Sequence, residues 1–488
     1  MNTTGKKFPP LRWGSSRRIF AAWVPQKSSK KPVFADICDP SPPLARHPKH
    51  PRQSAVNPSF FTTRPEDELH LPRRLSHSGR RPLCSSVNAM KKASISIIFL
   101  TVLIDLVGFG LILPLLPIYS ENFHAPGWVI GAIISAYSLM QFVFAPIWGR
   151  LSDRVGRRPV LLGSTACACL SYCIFAIGSG LSGDTALLVM FLSRLFAGIC
   201  GANITVAQAY IADVTPPENR SAKMGLIGMA FGLGFILGPV LGGLSSKYIG
   251  LTAPGWTAAS LCGLNFIWCF ARLPESWQPS AHSVTPRPHV EQWMHILRTP
   301  RLNLLIGIFF LATFCFTCFE STVGLLVMKN FGIDARKGLG TVSWLIAYCG
   351  VVGAAVQGGA IGRLVKLLGE PKLIAVSLFL AAVGIGLMPF LTTWGGLLVG
   401  LGVFSIGSSL TRPPVFGMIS MLTPAHEQGA TMGVAQGVGS LARIVGPMFA
   451  ASLFVHNAPL PYLICCALSF VTSIVTMQYL THIPRPPA

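Results

Sequence analysis

A chain of 488 residues that is 51% apolar and only 11% charged, with a mean hydropathy of +0.56, cannot keep a wet surface as a soluble protein; it belongs in a lipid bilayer. The net charge of +22 does not call for nucleic acid, because residues 1–89 hold 16 Lys and Arg against 5 Asp and Glu, half of the excess in under a fifth of the chain. The 13 cysteines lie largely inside apolar runs, where a thiol is a small hydrophobe, so no disulfide framework is implied and the Cys315-x-x-Cys318 pair reads as packing.

Residues 1–89 are rich in Pro, Ser and basic side chains and are expected to be a disordered extension. Met90-Lys91-Lys92 stands before the first long apolar run, a common start for a bacterial multi-span protein, so translation is expected to begin at Met90. The alternative is an organelle-targeting or regulatory tail, since basic, acid-poor, Ser-containing segments are transit-like. A hydrocarbon core about 30 Å thick needs roughly 20 apolar residues per helix. Runs of that kind predict twelve spans: 95–119, 128–148, 160–179, 186–207, 224–244, 255–272, 302–327, 339–361, 373–391, 395–417, 432–455 and 460–481. The expected organisation is therefore an all-α integral membrane protein. An N-terminal six-helix half occupies 90–272, a linker 273–301 and a C-terminal half 302–488. The linker has no long apolar run, and His282, His289 and His295 in it read as solvated, with no metal site expected.

The segment between spans two and three, Gly149 to Pro159, reads GRLSDRVGRRP and is expected to be a short loop. Its arginines Arg150, Arg154, Arg157 and Arg158 hold it on the cytoplasmic side. Even-numbered connections carry most of the remaining bases, which puts both termini in the cytoplasm; the connection after span seven, with Lys329, Arg336 and Lys337, runs against that trend. Gly149-Arg150-Leu151 and Gly156 recur as Gly362-Arg363-Leu364 and Gly369. Thr215-Pro216, Ala222, Met224-Gly225 and Gly238-Pro239 recur at one offset as Thr423-Pro424, Ala430, Met432-Gly433 and Gly446-Pro447. Two copies of a six-helix unit explain both repeats.

Span five, GLIGMAFGLGFILGPVLGG, sets Gly234, Gly238 and Gly242 on one face and Gly228 with Gly232 on another, so that helix backbones can approach closely. Pro239 favours a kink there. Gly358 and Gly362 offer a matching small-residue face on span eight.

Ionisable residues within spans cost roughly 2.5–3.5 kcal/mol each on insertion scales and are functional candidates by default. Four stand out: Asp105, Arg194, Glu320 and Arg443, of which Asp105, Arg194 and Glu320 are assigned to proton and substrate coupling and Arg443 to structure or gating. Tyr137 and Gln141, one turn apart on span two, are expected to line the substrate cavity.

The loop Gly-x-Leu-Ser-Asp-Arg-x-Gly-Arg-Arg between two helices resembles the loop 2-3 signature of the major facilitator superfamily. From about Met90 onward the chain is most similar to its twelve-span drug:proton antiporters, including the tetracycline efflux proteins. The stretches SLMQFVFAPIWGRLSDRVGRRPVLL, SRLFAGICGA, IADVTPPENR and FGLGFILGPVLGG carry the likeness. The resemblance implies gating roles for Gly149, Asp153, Arg154, Gly156, Arg157 and Arg158, with Asp153 capping span eleven and Arg157 pairing near Asp213. It implies helix-interface roles for Gly234, Gly238, Pro239, Gly242, Gly446 and Pro447, and a coupling role for Arg194. It also implies a monomeric plasma (inner) membrane exporter with no cofactor, driven by the proton gradient. Proton and substrate would compete at one buried carboxyl, Asp105 or Glu320. Neither a Walker A lysine motif after a strand nor an HExxH or GxSxG motif occurs, so an ATP-driven pump and an enzyme are not expected. A proton-coupled metabolite transporter is the alternative, and a non-transporting sensor a remoter one. The tetracycline exporters' expected polar positions read here Ser171 before Tyr172, Gly353, and a ninth span without ionisable residues. A dedicated tetracycline pump is therefore not expected, and the cavity is expected to prefer amphipathic or cationic compounds.

Overall fold

The computed structural model describes residues 84–112, 127–277, 289–333 and 335–480, and every regular element among them is a helix. Helices are the outcome expected of apolar runs in lipid, where each backbone N–H and C=O must find its partner within the segment. In chain order they are α1 (Cys84–Ile112), α2 (Gly127–Val155), α3 (Arg157–Ser179), α4 (Gly183–Cys200), α5 (Asn203–Val214), α6 (Pro217–Tyr248), α7 (Ala253–Arg272) and α8 (His289–Arg298). There follow α9 (Pro300–Phe331), α10 (Ala335–Ala355), α11 (Ile361–Leu368), α12 (Glu370–Leu387), α13 (Trp394–Leu422), α14 (Gln428–His456) and α15 (Leu460–Leu480).

Each of the twelve expected spans has a helical counterpart among the described residues, the fourth and eighth in two pieces. Eleven of the helical segments are long and apolar enough to cross a membrane. The sixth expected span, α7, falls outside that set. It carries Asn265, Arg272 and two tryptophans, Trp256 and Trp268, in 20 residues. The fourth span is broken at Gly201–Ala202, between α4 and α5, and the eighth passes from α10 to α11 through a π-helical turn at Val356–Ala360. Of the expected 1–89 extension, residues 1–83 lie outside the described residues, as do 113–126, 278–288 with His282, and 481–488. Helix α1 already begins at Cys84, because the Ala, Met and Lys residues before the apolar run are good helix formers.

The linker differs from expectation. Residues His289–Arg298 form α8, with Ile296 and Gln292 buried and the Trp293 ring 5.8 Å from Phe142 of α2 in an edge-on contact. Val290, Trp293 and Leu297 recur at helical spacing within 10 residues, an amphipathic pattern that a search for long apolar runs passes over. His295 is exposed.

Helix contacts repeat in two copies. In the first half α1 packs on α6, α3 on α7, α3 on α4 and α2 on α4. In the second, α9 packs on α14, α12 on α15, α12 on α13 and α10 on α13. Across the middle α2 packs on α14 and α6 on α10, again a matched pair. The two glycine faces of α6 serve different partners. Gly234, Gly238 and Gly242 lie against Leu106, Gly110 and Leu111 of α1, so this ladder holds the first half together. Gly228 and Gly232 meet Gln357 and Gly350 of the other half, where Gly358 and Gly362 meet Met229 and Ala222. The repeat partner Gly446 packs on Thr317 and Phe314 of α9, as Gly238 does on α1. Pro239 and Pro447 lie inside unbroken helices one residue after these contacts.

Candidate functional site

The end of the bundle that carries Gly149–Pro159 is closed by a buried polar network. The expected loop is in fact helical on both sides, with Gly156 the one residue between α2 and α3. Its φ of +102° is open to glycine and strained for other residues, and that is why the chain turns there. Gly369, its repeat partner, holds φ +76° and the same ψ region at the start of α12. In the last turn of α2, Asp153 Oδ1 accepts from the Gly429 N–H at 2.8 Å and Oδ2 from the Ala430 N–H at 2.7 Å. Those amides are the unpaired donors at the N-terminus of α14, where a carboxylate is stabilised by the helix dipole as well. The backbones of Gly149 and Gly429 touch, which a side chain at either position would prevent.

Arg157, wholly buried, organises the rest. Its guanidinium pairs with Asp153 at 2.6 Å, with Asp213 of α5 at 2.9 Å and donates to Ser152 Oγ at 2.7 Å. Glu275, from the chain after α7, accepts from the N–H groups of Arg157 and Arg158 at 2.8 and 3.1 Å and so caps α3. Arg158 Nη2 donates to the Phe270 carbonyl, whereas Arg154 is exposed. A second bridge between halves runs from Arg220 Nη1 to the Ser420 carbonyl at 3.1 Å, which Gln428 Nε2 also donates to at 2.8 Å. In the repeat copy the charges are inverted: Lys366 and Glu370 stand where Asp153 and Arg157 do, and Glu370 accepts from Ser221 of α6 at 3.3 Å. The aspartate clamp is therefore one-sided.

Deeper in the first half, Asp105 of α1 faces the Asn203 amide at the start of α5, just past the Gly201–Ala202 break. Arg194 of α4 is buried over the rings of Tyr172 (5.3 Å) and Phe175 (4.9 Å), and its Nε and Nη2 have no hydrogen-bond partner. Asp105 and Arg194 do not close an ion pair; Tyr137 and Tyr172 lie within electrostatic reach of both.

Between the halves, Gln141 Oε1 accepts from Arg443 Nη2 at 2.8 Å and from Ser440 Oγ at 3.0 Å, and its Nε2 donates to the Tyr137 hydroxyl at 3.3 Å. Gln436 of α14 donates to Gln208 of α5 at 3.0 Å. Beside this clasp lies a narrow cavity lined among others by Phe231, Phe309, Phe416, Gln208, Arg412 and Arg443. Glu320 of α9 faces Arg412 and Arg443 without a hydrogen bond to either.

Tyr137, Gln141 and Arg443 thus come together directly, while Asp105, Arg194 and Glu320 stand apart around the interface. Sequence reasoning missed Arg412, a fifth ionisable residue within a span. Thr411-Arg412-Pro413-Pro414 looks like a helix end, yet α13 runs through both prolines to Leu422. Asn203, Gln208, Gln436 and Ser440 were missed too, being neutral residues whose facing follows only from the helix register. Glu275 lies in the linker, where a carboxylate ordinarily reads as solvated.

The sequence pattern of the Major Facilitator Superfamily matches residues 98–362 and 340–488. The class E tetracycline resistance protein of Escherichia coli is 33% identical over 365 residues, covering 72% of this chain and 86% of its own length. Major facilitator superfamily domain-containing protein 10 of Bos taurus is 31% identical over 447 residues, covering 80% of this chain and 93% of its own. Among solved structures, the human organic anion transporter MFSD10 (TETRAN) superposes with a TM-score of 0.68 at 25% identity, over 79% of this chain and 99% of that one. With two matched six-helix halves, a cavity between them and relatives of this kind across most of its length, the chain belongs to the Major Facilitator Superfamily.

Proposed function

We propose that this transporter is a proton-coupled exporter of small amphipathic molecules that works by alternating access, with the Asp153 end in the cytoplasm. The observation that carries the reading is the set of five ionisable side chains, Asp105, Arg194, Glu320, Arg412 and Arg443, around the interface at span depth; among the described residues none closes an ion pair with another. Such groups are too costly in a membrane to serve packing alone. The Asp153–Gly429 and Arg220–Ser420 bridges close this end, which supports reading the structure as the state shut toward the cytoplasm. Opening that side requires Asp153 to leave the N-terminus of α14, with Arg157 and Asp213 holding the carboxylate in place between turnovers.

Asp105 is the proposed proton-exchange site. It faces Asn203 and lies beyond direct pairing with Arg194, which supports a carboxyl free to take up and release a proton during the transport cycle. Tetracycline resistance relatives support a drug-like cargo, and the organic anion transporter relative supports an amphipathic one. Ser171 is committed to the Ser193 carbonyl and Gly353 abuts Ser409, which supports the reading that tetracycline is not a dedicated substrate. The test is expression in an efflux-deficient host with Asp105→Asn as control. Asp105-dependent resistance to several unrelated amphipathic compounds is expected; strong resistance to tetracycline alone would overturn the substrate reading.

A further inference from the structure

Arg412 has five N–H donors and, among the described residues, no protein acceptor. Its guanidinium lies over Phe316 at 5.1 Å and Phe231 at 5.7 Å, half-buried on the wall of the interface cavity, and among the described residues it makes no hydrogen bond or ion pair. Arg443 lines the same cavity and uses Nη2 for Gln141 and Ser440, which leaves its other donors for the cavity. The carboxylate that acts on this pair is Glu320, and it acts through space. Two guanidiniums against one carboxylate leave a net positive charge at span depth, where an uncompensated cation is costly. Apart from the amides of Gln208 and Gln436 the rest of the lining is apolar, Phe231, Phe309 and Phe416 among it, and it includes no carboxylate among the described residues. Phe309 and Phe416 stand edge-on at 4.8 Å and form an apolar wall. An aromatic wall beside one unengaged guanidinium fork and a second that is only partly engaged matches an amphipathic anion, since planar N–H pairs fit carboxylate and sulfonate oxygens.

We propose that Arg412 and Arg443 form an anion subsite that takes the carboxylate or sulfonate of an amphipathic organic molecule, with Phe231, Phe309 and Phe416 against its apolar body and Glu320 as the internal counter-charge that an incoming anion competes with. This assignment rests on the reading of the cavity as the transport site and reverses the preference for cations that the sequence, with Arg412 overlooked, implied. Arg443 is held by Gln141 from the other half, so an anion bound to it weighs on the same clasp that joins α2 to α14.

The test is direct binding to the detergent-purified full chain, with no gradient, of three congeners of one naphthyl fluorophore: a sulfonate, its neutral sulfonamide and a quaternary ammonium analogue. Wild-type protein is expected to bind the sulfonate tightest. Arg412→Gln is expected to weaken sulfonate binding about tenfold or more while the sulfonamide changes less than about twofold, and Glu320→Gln to tighten the sulfonate. Equal losses for sulfonate and sulfonamide, or tightest binding of the ammonium analogue by wild-type protein, would overturn the proposal. Should Arg412→Gln not fold, the wild-type ranking and Arg412→Lys decide, the lysine variant keeping the order of affinities. Because binding is read without a proton gradient, an anion preference in protein that moves nothing would leave the subsite standing and remove the export reading, and export without that preference would do the reverse.

Discussion

Asp153 is one carboxylate with two backbone donors from the other half and one buried arginine, and each contact fixes what its loss does. Asp153→Asn keeps one acceptor oxygen but turns an NH2 group toward an N–H donor and removes the charge that Arg157 neutralises. A helix cap is worth about 1 kcal/mol and a charge-assisted bond more, so the state closed at the Asp153 end should lose about 1–3 kcal/mol, a shift of roughly fivefold to 150-fold toward the open state. Paired spin labels across the α2–α14 seam measure it. Turnover is expected to fall with little loss of folded protein, and a fall in substrate affinity at an unchanged open–closed ratio would contradict the gating role. Asp213→Asn, one bond further from the seam, is expected to shift the same ratio in the same direction by less, because Arg157 keeps Asp153 and Ser152. At this scale the sequence was informative where charge and spacing are tied to a turn, as in Asp153 and Arg157. It was uninformative where a charge hides beside helix-breaking residues, as Arg412 does beside Pro413 and Pro414, or where a neutral side chain such as Gln208 matters only through what faces it.

For whole helices, the packing of α6 separates the two effects of a glycine. Gly238→Ala would place its Cβ 2.6 Å from the Gly110 Cα, backbone against backbone, with nothing flexible to yield. Overpacking of this kind costs about 1–3 kcal/mol, which outweighs the gain of up to about 1 kcal/mol in helix propensity. Gly243→Ala, with nothing within 4 Å of its Cβ, should show the gain alone. Thermal unfolding in detergent is thus expected to move down for Gly238→Ala and to stay or rise for Gly243→Ala; equal shifts would mean that the ladder does not hold α1 to α6. Glycine spacing made the existence of these faces legible in the sequence. Which neighbour each face meets was not, because both faces repeat glycine at a spacing of four, and only tertiary contact assigns Gly234 to α1 and Gly232 to α10. The linker helix α8 was missed for a related reason: its burial of Ile296 and Trp293 depends on a surface made by α2 and α14 that no local window contains.

The whole molecule was the most legible level, since the length of each apolar run is set by bilayer thickness and the two repeats betray the doubled plan. The matched contacts α1–α6 with α9–α14 and α2–α14 with α6–α10 are what such a duplication builds. What duplication conceals is asymmetry. The aspartate clamp is present once, with Lys366 and Glu370 in its second copy, and the first half holds Asp105 with Arg194 while the second holds Glu320 with two arginines. Under the proposed function, that division would separate proton exchange in the first half from ligand charge in the second, and both serve proton-driven export. Purified protein in liposomes under an imposed pH gradient, carrying an amphipathic fluorophore, tests it most directly. Substrate is expected to move against the proton flow, with the flux abolished by a protonophore and by Asp105→Asn; flux that is indifferent to the gradient, or that persists in Asp105→Asn, would contradict it.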